Sequence, residues 1–355
     1  MPSKAVKYNA GLLTEENVKK HVLPEYNLEN ADIHQIKFKD TDKQRAVYKV
    51  EYRQSTYCLK KMYFSKANLL FVYSAIEWLF LNNINVPEIL STKTNGRFVV
   101  YEDMLFILTP WVEGEKCNYD NIEHILSSTE NLAKMHNVTV GFEPIAGSEL
   151  RRNCSNLETS INKHFEHMLL CSNMAYKYGD KFSNLFLNHF EENFMLAKIS
   201  LELCCGLDND KLSEALCHLD YVNKNIIFDD FQKIWVIDFD KCSMDYCVHD
   251  ISYFLRRMLK RDNTMWDFEI AVNCLNSYEN MRELNLEEYR YILSYLSFPQ
   301  KFWKISRDYY NNIKKCNHNS FYTILQSAVE RDKEQMDFVL RFKKYIENKF
   351  NTFLS

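Results

Sequence analysis

"LCHLDYVNKNIIFDDFQKIWVIDFD", residues 216–240, decides the fold. Two short apolar runs, 226–228 and 234–237, flank the polar "DDFQK" and read as a hairpin. His218, Asp220, Asn225, Asp238 and Asp240 sit at the ends of these strands. A carboxylate beside a core is costly unless something cationic accompanies it. Asp220 and Asn225 stand five apart in H-x-D-x-x-x-x-N. An acid next to an amide ligand suits the orientation of a hydroxyl near a metal-bound phosphate. Asp238 lies thirteen residues after Asn225, at the end of the returning strand. Two hairpin ends can therefore gather Asn225 and Asp238 around one hard cation through oxygen atoms alone. Mg²⁺ there would relieve the repulsion that otherwise raises one carboxylate's pKa.

Upstream of this segment the hydrophobic period changes twice. Thr14, Glu15 and Glu16 open a short helix over 14–27. Residues 33–38, 46–52 and 55–62 are short runs rich in Val, Ile and Tyr, expected as antiparallel strands. Residues 66–83 place apolar side chains at 69, 72, 73, 76, 79 and 80, a helical period. "GRFVVYE" and "LFILTPWVEG" return to strands, and from 119 the pattern is helical except for the quoted hairpin. The expected architecture is a small β-rich N-lobe over 1–110 and a large, mainly helical C-lobe over 111–355 that carries the hairpin 216–240.

Composition narrows the function. The 355 residues are 46% hydrophobic and 14% aromatic, with only 7 Gly and 6 Pro, which excludes a disordered or linker-rich chain. A net charge of −4 with interspersed signs offers no field for nucleic acid. No window of about 18 apolar residues implies a membrane span, and the N-terminus lacks a secretory h-region. The 11 cysteines are scattered without a C-x-x-C pair, which disfavours a zinc ribbon and is expected of free thiols in a reducing interior, with crosslinking of an assembled protein as the other reading.

The order of catalytic Asp, Asn five later and Asp at a strand end is the kinase signature. "CHLDYVNKNIIF" with "VIDFDKCSMDYCVHDISYFLRR" resembles aminoglycoside phosphotransferase and choline kinase relatives. With "VYKVEY", "YCLKKM", "FVYSAIEWL", "ILTPWVEG" and the late "LSFPQKFWKISRDYY", the chain looks like the CotS family of bacterial spore coat proteins. The resemblance implies an α+β, bilobal protein kinase-like fold. It implies Asp220 as the base that accepts a substrate hydroxyl proton, and Asn225 and Asp238 as Mg²⁺ ligands. Lys60 would reach the α- and β-phosphates of ATP or GTP, with Glu77 as its partner. The backbone of Pro110 and Val112, in the hinge, would hold the base, and Asp250 would brace the catalytic loop. His218 is open between a structural bond and direct chemistry. Asp240 is open between an outer ligand, a substrate contact and a solvated turn. Cytoplasmic synthesis in a mother cell with deposition in the spore coat, among other coat proteins, is implied too.

Three departures accompany the match. Leu219 stands where aminoglycoside kinases commonly have glycine, so the backbone must do without that freedom. The loop "KDTDKQRA" has no glycine to bring backbone N–H groups to phosphate; Asp40 and Asp42 would repel phosphate, whereas Lys43 and Arg45 would attract it. Lys224 precedes the metal-ligand asparagine, to neutralise phosphate or to point outward. Asp229 and Asp230 are expected to be solvated at the hairpin tip, His164 and His167 to mark a polar helical face, and Trp303, Tyr309 and Tyr310 to pack in the core or line a cleft. Three functions follow: an ATP- and Mg²⁺-dependent phosphotransferase acting on a small-molecule hydroxyl, an inactive structural or nucleotide-binding coat component, and a protein kinase. The last lacks a D-F-G and an A-P-E.

Overall fold

The computed structural model describes residues 8–41 and 44–354, so Asp42 and Lys43 lie outside the described residues. In chain order the elements are α1 (Glu15–His21), β1 (Asp32–Lys39), β2 (Arg45–Tyr52), β3 (Ser55–Lys61), α2 (Lys66–Leu81), β4 (Val99–Tyr101), β5 (Met104–Pro110) and β6 (Glu115–Lys116). There follow α3 (Ile122–Val138), α4 (Leu157–Tyr178), α5 (Lys181–Asn188), α6 (Phe190–Cys204), β7 (Glu214–Cys217), β8 (Ile226–Phe228), β9 (Ile234–Val236) and β10 (Ser243–Tyr246). Helices complete the chain: α7 (Cys247–Leu259), α8 (Phe268–Glu279), α9 (Leu286–Ser297), α10 (Gln300–Asn311), α11 (His318–Val329) and α12 (Asp332–Phe350). The order of strands and helix expected for 33–114 is the order observed.

The chain divides into two compact units. The first holds the residues up to Cys117, Met135–Arg152 and Asn223–Met244. Its main sheet is antiparallel in the order β1-β2-β3-β5-β4. Successive strand residues face opposite sides. Tyr48, Val50, Leu59, Phe106 and Leu108 meet Val18, Val22 and Leu23 on one face, and Leu105 and Ile107 meet Met62 and Leu69 on the other. Each such buried side chain contributes about 1.5–3 kcal/mol. Lys61 follows Lys60 and so turns into the first of these cores. It is 2% exposed, donates to the Gln44 carbonyl at 3.1 Å and lies 4.9 Å from the Tyr8 ring centre.

α2 starts where the Ser65 hydroxyl accepts from the Asn68 N–H at 3.3 Å. Leu69, Val72, Ile76 and Leu79 form its buried stripe at helical spacing. A second sheet, in the order β6-β8-β9, contains the hairpin seen in the sequence. Asp229 closes that hairpin: its carboxylate accepts from the N–H groups of Phe231 and Lys233 at 2.9 Å each and from Trp235 Nε1 at 3.1 Å. The expected solvated role for Asp229 is corrected, because an Asp at a turn bonds its own backbone two residues on.

The second unit holds Asn118–Lys134, Asn153–Val222 and the chain from Asp245 onward, and is helical. The Asn156 side chain caps α4, which ends at Gly179 with φ 58°. Between α6 and α9, Ser200 and Ser294 exchange hydroxyl-to-carbonyl bonds of 2.7 and 2.8 Å. Trp303, Tyr309 and Tyr310 are buried, with Phe182 stacked 3.8 Å from Tyr309. They belong to the core. The His164 ring lies 3.7 Å from that of Trp303, so this histidine is half-buried against an aromatic and not part of a polar face. None of the 11 cysteines forms a disulfide. No helix of the described residues is long and apolar enough to cross a membrane.

Candidate active site

The first unit folds a cavity of about 400 Å³ against the α2 side of its sheet. β3 delivers Lys60 to it, β5 and the following turn deliver Pro110, Trp111 and Val112, and the hairpin delivers Asn225, Asp238 and Asp240. The hairpin places its two ends together because the Ile237 N–H donates to the Asn225 carbonyl at 3.0 Å, one step beyond the Ile226–Val236 pair. Asn225 is buried. Asp238 has φ 68° and ψ 58°, a left-handed conformation that costs a non-glycine residue of order 1–3 kcal/mol and collects at functional sites.

Lys60 joins both acids. Its Nζ lies 2.6 Å from Asp238 Oδ1 and 2.5 Å from Asp240 Oδ1. Burial alone would lower the lysine's pKa, but the Asp240 and Asp238 carboxylates outweigh it and push it above the ordinary value. Asp240 is the more deeply buried of the two acids. Its Oδ2 is 3.9 Å from Arg45 Nη1 and is a buried oxygen without a hydrogen bond. Its carbonyl accepts from Arg151 Nη2 at 2.9 Å. Among the three readings left open for Asp240, the solvated turn is thereby removed.

Glu77 does not join Lys60. It is exposed on α2 and interacts with Tyr73, near Arg97. The reason is the helical period: Val72 and Ile76 face the cavity, and Glu77, one residue on, is turned about 100° away. The ion pair expected between Lys60 and Glu77 is corrected to Lys60 with Asp238 and Asp240.

The hinge approaches the hairpin closely. Gly114 has φ 138°, and a Cβ there would stand 2.2 Å from the Phe228 carbonyl oxygen. The Trp111 N–H donates to the Thr56 carbonyl at 3.0 Å, whereas the Val112 N–H makes no hydrogen bond within the described residues. The apolar walls include Val47, Ile107 and Val112. Four cations other than Lys60 also line the cavity: Lys37, Arg45, Lys116 and Lys224. Arg45 and Lys224 carried a sequence signal. Lys37 did not, because a β-bulge between Gln35 and Lys37 aims it here. Lys116 was missed because it belongs to no recognisable motif, Trp111 because the hinge segment was read for the backbone of its neighbours Pro110 and Val112 alone, and Arg151 because it reaches Asp240 from a segment 89 residues away. Asp40 is engaged by the Gln44 side chain at 3.2 Å.

The second unit contains the other polar group. Asp250, in the first turn of α7, accepts from the His218 N–H at 2.6 Å and from the Leu219 N–H at 2.8 Å. Leu219 is held at φ 58°, which is how this loop does without glycine. His218 Nδ1 accepts from the Asp220 N–H at 3.1 Å, so the histidine fixes the loop as an acceptor, with its own proton on Nε2. Asp220 is 8% exposed. The structure thus assembles Lys60, Pro110, Val112, Asn225, Asp238 and Asp240 in one unit and His218, Asp220 and Asp250 in the other.

Oxygen donors from Asn225 and Asp238, with the unsatisfied Asp240 Oδ2 in the same cavity, fit a hard divalent cation. The antiparallel-sheet unit and the helical unit have counterparts among solved structures. The aminoglycoside phosphotransferase of Alicyclobacillus acidocaldarius superposes with a TM-score of 0.77 at 20% identity, over 92% of this chain and 96% of that one. A spectinomycin phosphotransferase, solved with ADP and spectinomycin, gives 0.67 at 16% identity over 96% and 100%. An amicoumacin kinase, solved with AMP-PNP and Ca²⁺, gives 0.60 at 15% identity over 97% and 94%. These likenesses establish the kinase-like fold expected from the sequence. The family model described as "Phosphotransferase enzyme family" matches residues 40–291, more than two thirds of the chain, and the chain belongs to that family.

Proposed function

We propose that the protein transfers a phosphoryl group from a nucleoside triphosphate to the hydroxyl of a small molecule. The observation that carries this reading is the Lys60 ammonium bonded to Asp238 and Asp240 in a cavity that also holds Asn225 and the hinge backbone. Phosphoryl transfer asks a protein for position and charge, and little covalent chemistry. Asn225 and Asp238 would hold Mg²⁺, which when bound neutralises charge on the phosphates. Lys60 turns from the acids toward the α- and β-phosphates. Arg45, Lys37 and Lys224 supply cations in place of the absent glycine-rich loop. The Pro110 carbonyl and the Val112 N–H take the base. Asp220 accepts the proton of the attacking hydroxyl, with its backbone fixed by His218 and, through Leu219, by Asp250. ATP is the expected donor, with GTP a second. The small molecules in the relatives' names, aminoglycosides for one and spectinomycin for another, support a small-molecule hydroxyl here.

The glycine-free loop favours a second reading, a CotS-type spore coat component that binds nucleotide without transfer. The run 296–310 outside the kinase motifs supports that finer family and its coat partners. Thermal unfolding with Mg²⁺ and ATP tests the first step. Ligand at 100 times its Kd should add about 2.7 kcal/mol of stability, and Asp238→Ala should abolish the shift. Asp220→Asn should keep most of the shift and lose turnover on a panel of hydroxyl acceptors. No shift in the wild-type chain rejects nucleotide use and favours a purely structural coat component. A shift without turnover leaves the second.

A further inference from the structure

The second unit contains another cavity, of about 440 Å³, that the proposed reaction does not use. The C-terminal end of α7 and the residues after it bring Arg256, Arg257, Lys260 and Arg261 to its wall. The first turns of α10 bring Lys301 and Lys304, and Arg331, just before α12, completes the set. Seven cationic side chains thus face one carboxylate, Asp332, in a chain whose net charge is −4.

Local structure accounts for only part of this concentration. Cations at the end of α7 complement that helix's dipole. Lys301 and Lys304 sit near the start of α10, where the dipole opposes them, and that helix has neither an acidic residue in its first turn nor a side-chain cap. Arg257, Lys260, Lys301 and Lys304 have no carboxylate within ion-pair distance among the described residues. Arg256 donates to the Tyr295 hydroxyl at 2.7 Å. Arg331 reaches Asp262 and Glu334 only at 3.4 and 3.6 Å, and its Nε is buried without a partner. Asp332 is already engaged by Asn193 Nδ2 at 2.6 Å. Lys260 is solvent-exposed, yet partial desolvation and then the neighbouring Arg257, Arg256, Lys301 and Lys304 lower its pKa, as expected of cations crowded together without counter-charge.

We propose that this cavity binds a compact small molecule carrying two or more phosphate groups. The volume is that of a small-molecule site. The cations converge on a concavity, whereas a nucleic-acid duplex presents its phosphates along an extended track. Arginine forks and lysine ammonium groups together match several phosphate oxygens at once. The buried Trp266, Phe298 and Phe302 give the cavity an apolar wall.

Calorimetric titration of the full chain with inorganic tripolyphosphate at low ionic strength tests this. A Lys60→Ala background removes the ammonium that bridges Asp238 and Asp240 in the first unit's cavity and weakens the probe's binding there. One saturable site is expected. Lys301→Ala with Lys304→Ala, both exposed side chains, should weaken it by about tenfold or more with an unchanged Tm. Arg257→Ala with Lys260→Ala should do the same independently. Orthophosphate should bind at least about tenfold more weakly than tripolyphosphate. Absence of saturable binding, or affinity indifferent to both double variants, overturns the proposal. Hexaglutamate binding as tightly as tripolyphosphate also overturns it, in favour of an acidic peptide.

Discussion

Lys61 carries its ammonium into the apolar face of the sheet, with one carbonyl and one aromatic ring for contact. Burial lowers its pKa to about 8. Below that pH the lysine is charged both folded and unfolded, and the cost of stripping its water is fully present. Between about 8 and about 10.5 the folded form is neutral while the unfolded one keeps its proton, so stability rises with pH. Lys61→Met should therefore raise stability by about 1–3 kcal/mol at pH 7. The difference between the two proteins should shrink toward zero as pH passes 10, read from urea unfolding at several pH values. A constant difference would mean that packing, not charge, sets the gain. Lys60, its neighbour, has the opposite surroundings, and Asp240 is the residue that gives them. Asp240→Asn should lower kcat/KM by about 10²-fold through misplacement of the lysine, with Asp240→Glu recovering part of it. Glu77→Gln, on the exposed side of α2, should change it by less than about twofold. The reverse ranking would restore Glu77 as the lysine's partner.

At the scale of elements, two turns carry the site's geometry. The hinge crosses under the hairpin where Gly114 leaves no room for a side chain, with φ 138° and the Phe228 carbonyl at contact. Gly114→Ala should cost about 2 kcal/mol or more of stability and weaken nucleotide affinity, because Pro110 and Val112 shift with the hinge. Equilibrium unfolding and a nucleotide titration measure the two effects, and an unchanged chain in both would remove the hinge from the account. In the second unit, the Asp250 carboxylate holds two consecutive N–H groups and so keeps Leu219 left-handed. The sequence showed the hairpin and this loop because two apolar runs around a polar tip and the H-x-D spacing are local patterns. It hid the bulge before Lys37, which depends on the register of a partner strand. It also led to Glu77, since helical spacing fixes which residues share a face but not which face meets Lys60. Asp240 was visible as a residue and ambiguous as a partner for the same reason: its bonds to Lys60 and Arg151 span 180 and 89 positions.

For the molecule as a whole, the two candidate ligands fall in different compact units. The residues proposed to hold nucleotide and metal, Lys60, Val112, Asn225 and Asp238, belong to the first, and the cation-lined cavity belongs entirely to the second. Amide hydrogen exchange reports local opening, and a ligand slows exchange most where it orders the backbone. In the wild-type chain, Mg²⁺ with ATP should protect the hinge peptide around 107–114 and the hairpin around 225–240. Inorganic tripolyphosphate should protect 255–261 and 299–305, which contain Arg257, Lys260, Lys301 and Lys304. The Lys301→Ala, Lys304→Ala double variant should lose the second protection and keep the first, because none of its changed side chains lines the first unit's cavity. Asp238→Ala should do the converse. Protection of the hinge by tripolyphosphate with none at α10 would place both anions in the nucleotide cavity and leave the second unit's cations without a ligand. Protection at α10 that survives the loss of both lysines would assign the anion to the remaining cations of the cavity, Arg256, Arg257, Lys260, Arg261 and Arg331, and remove α10 from the site.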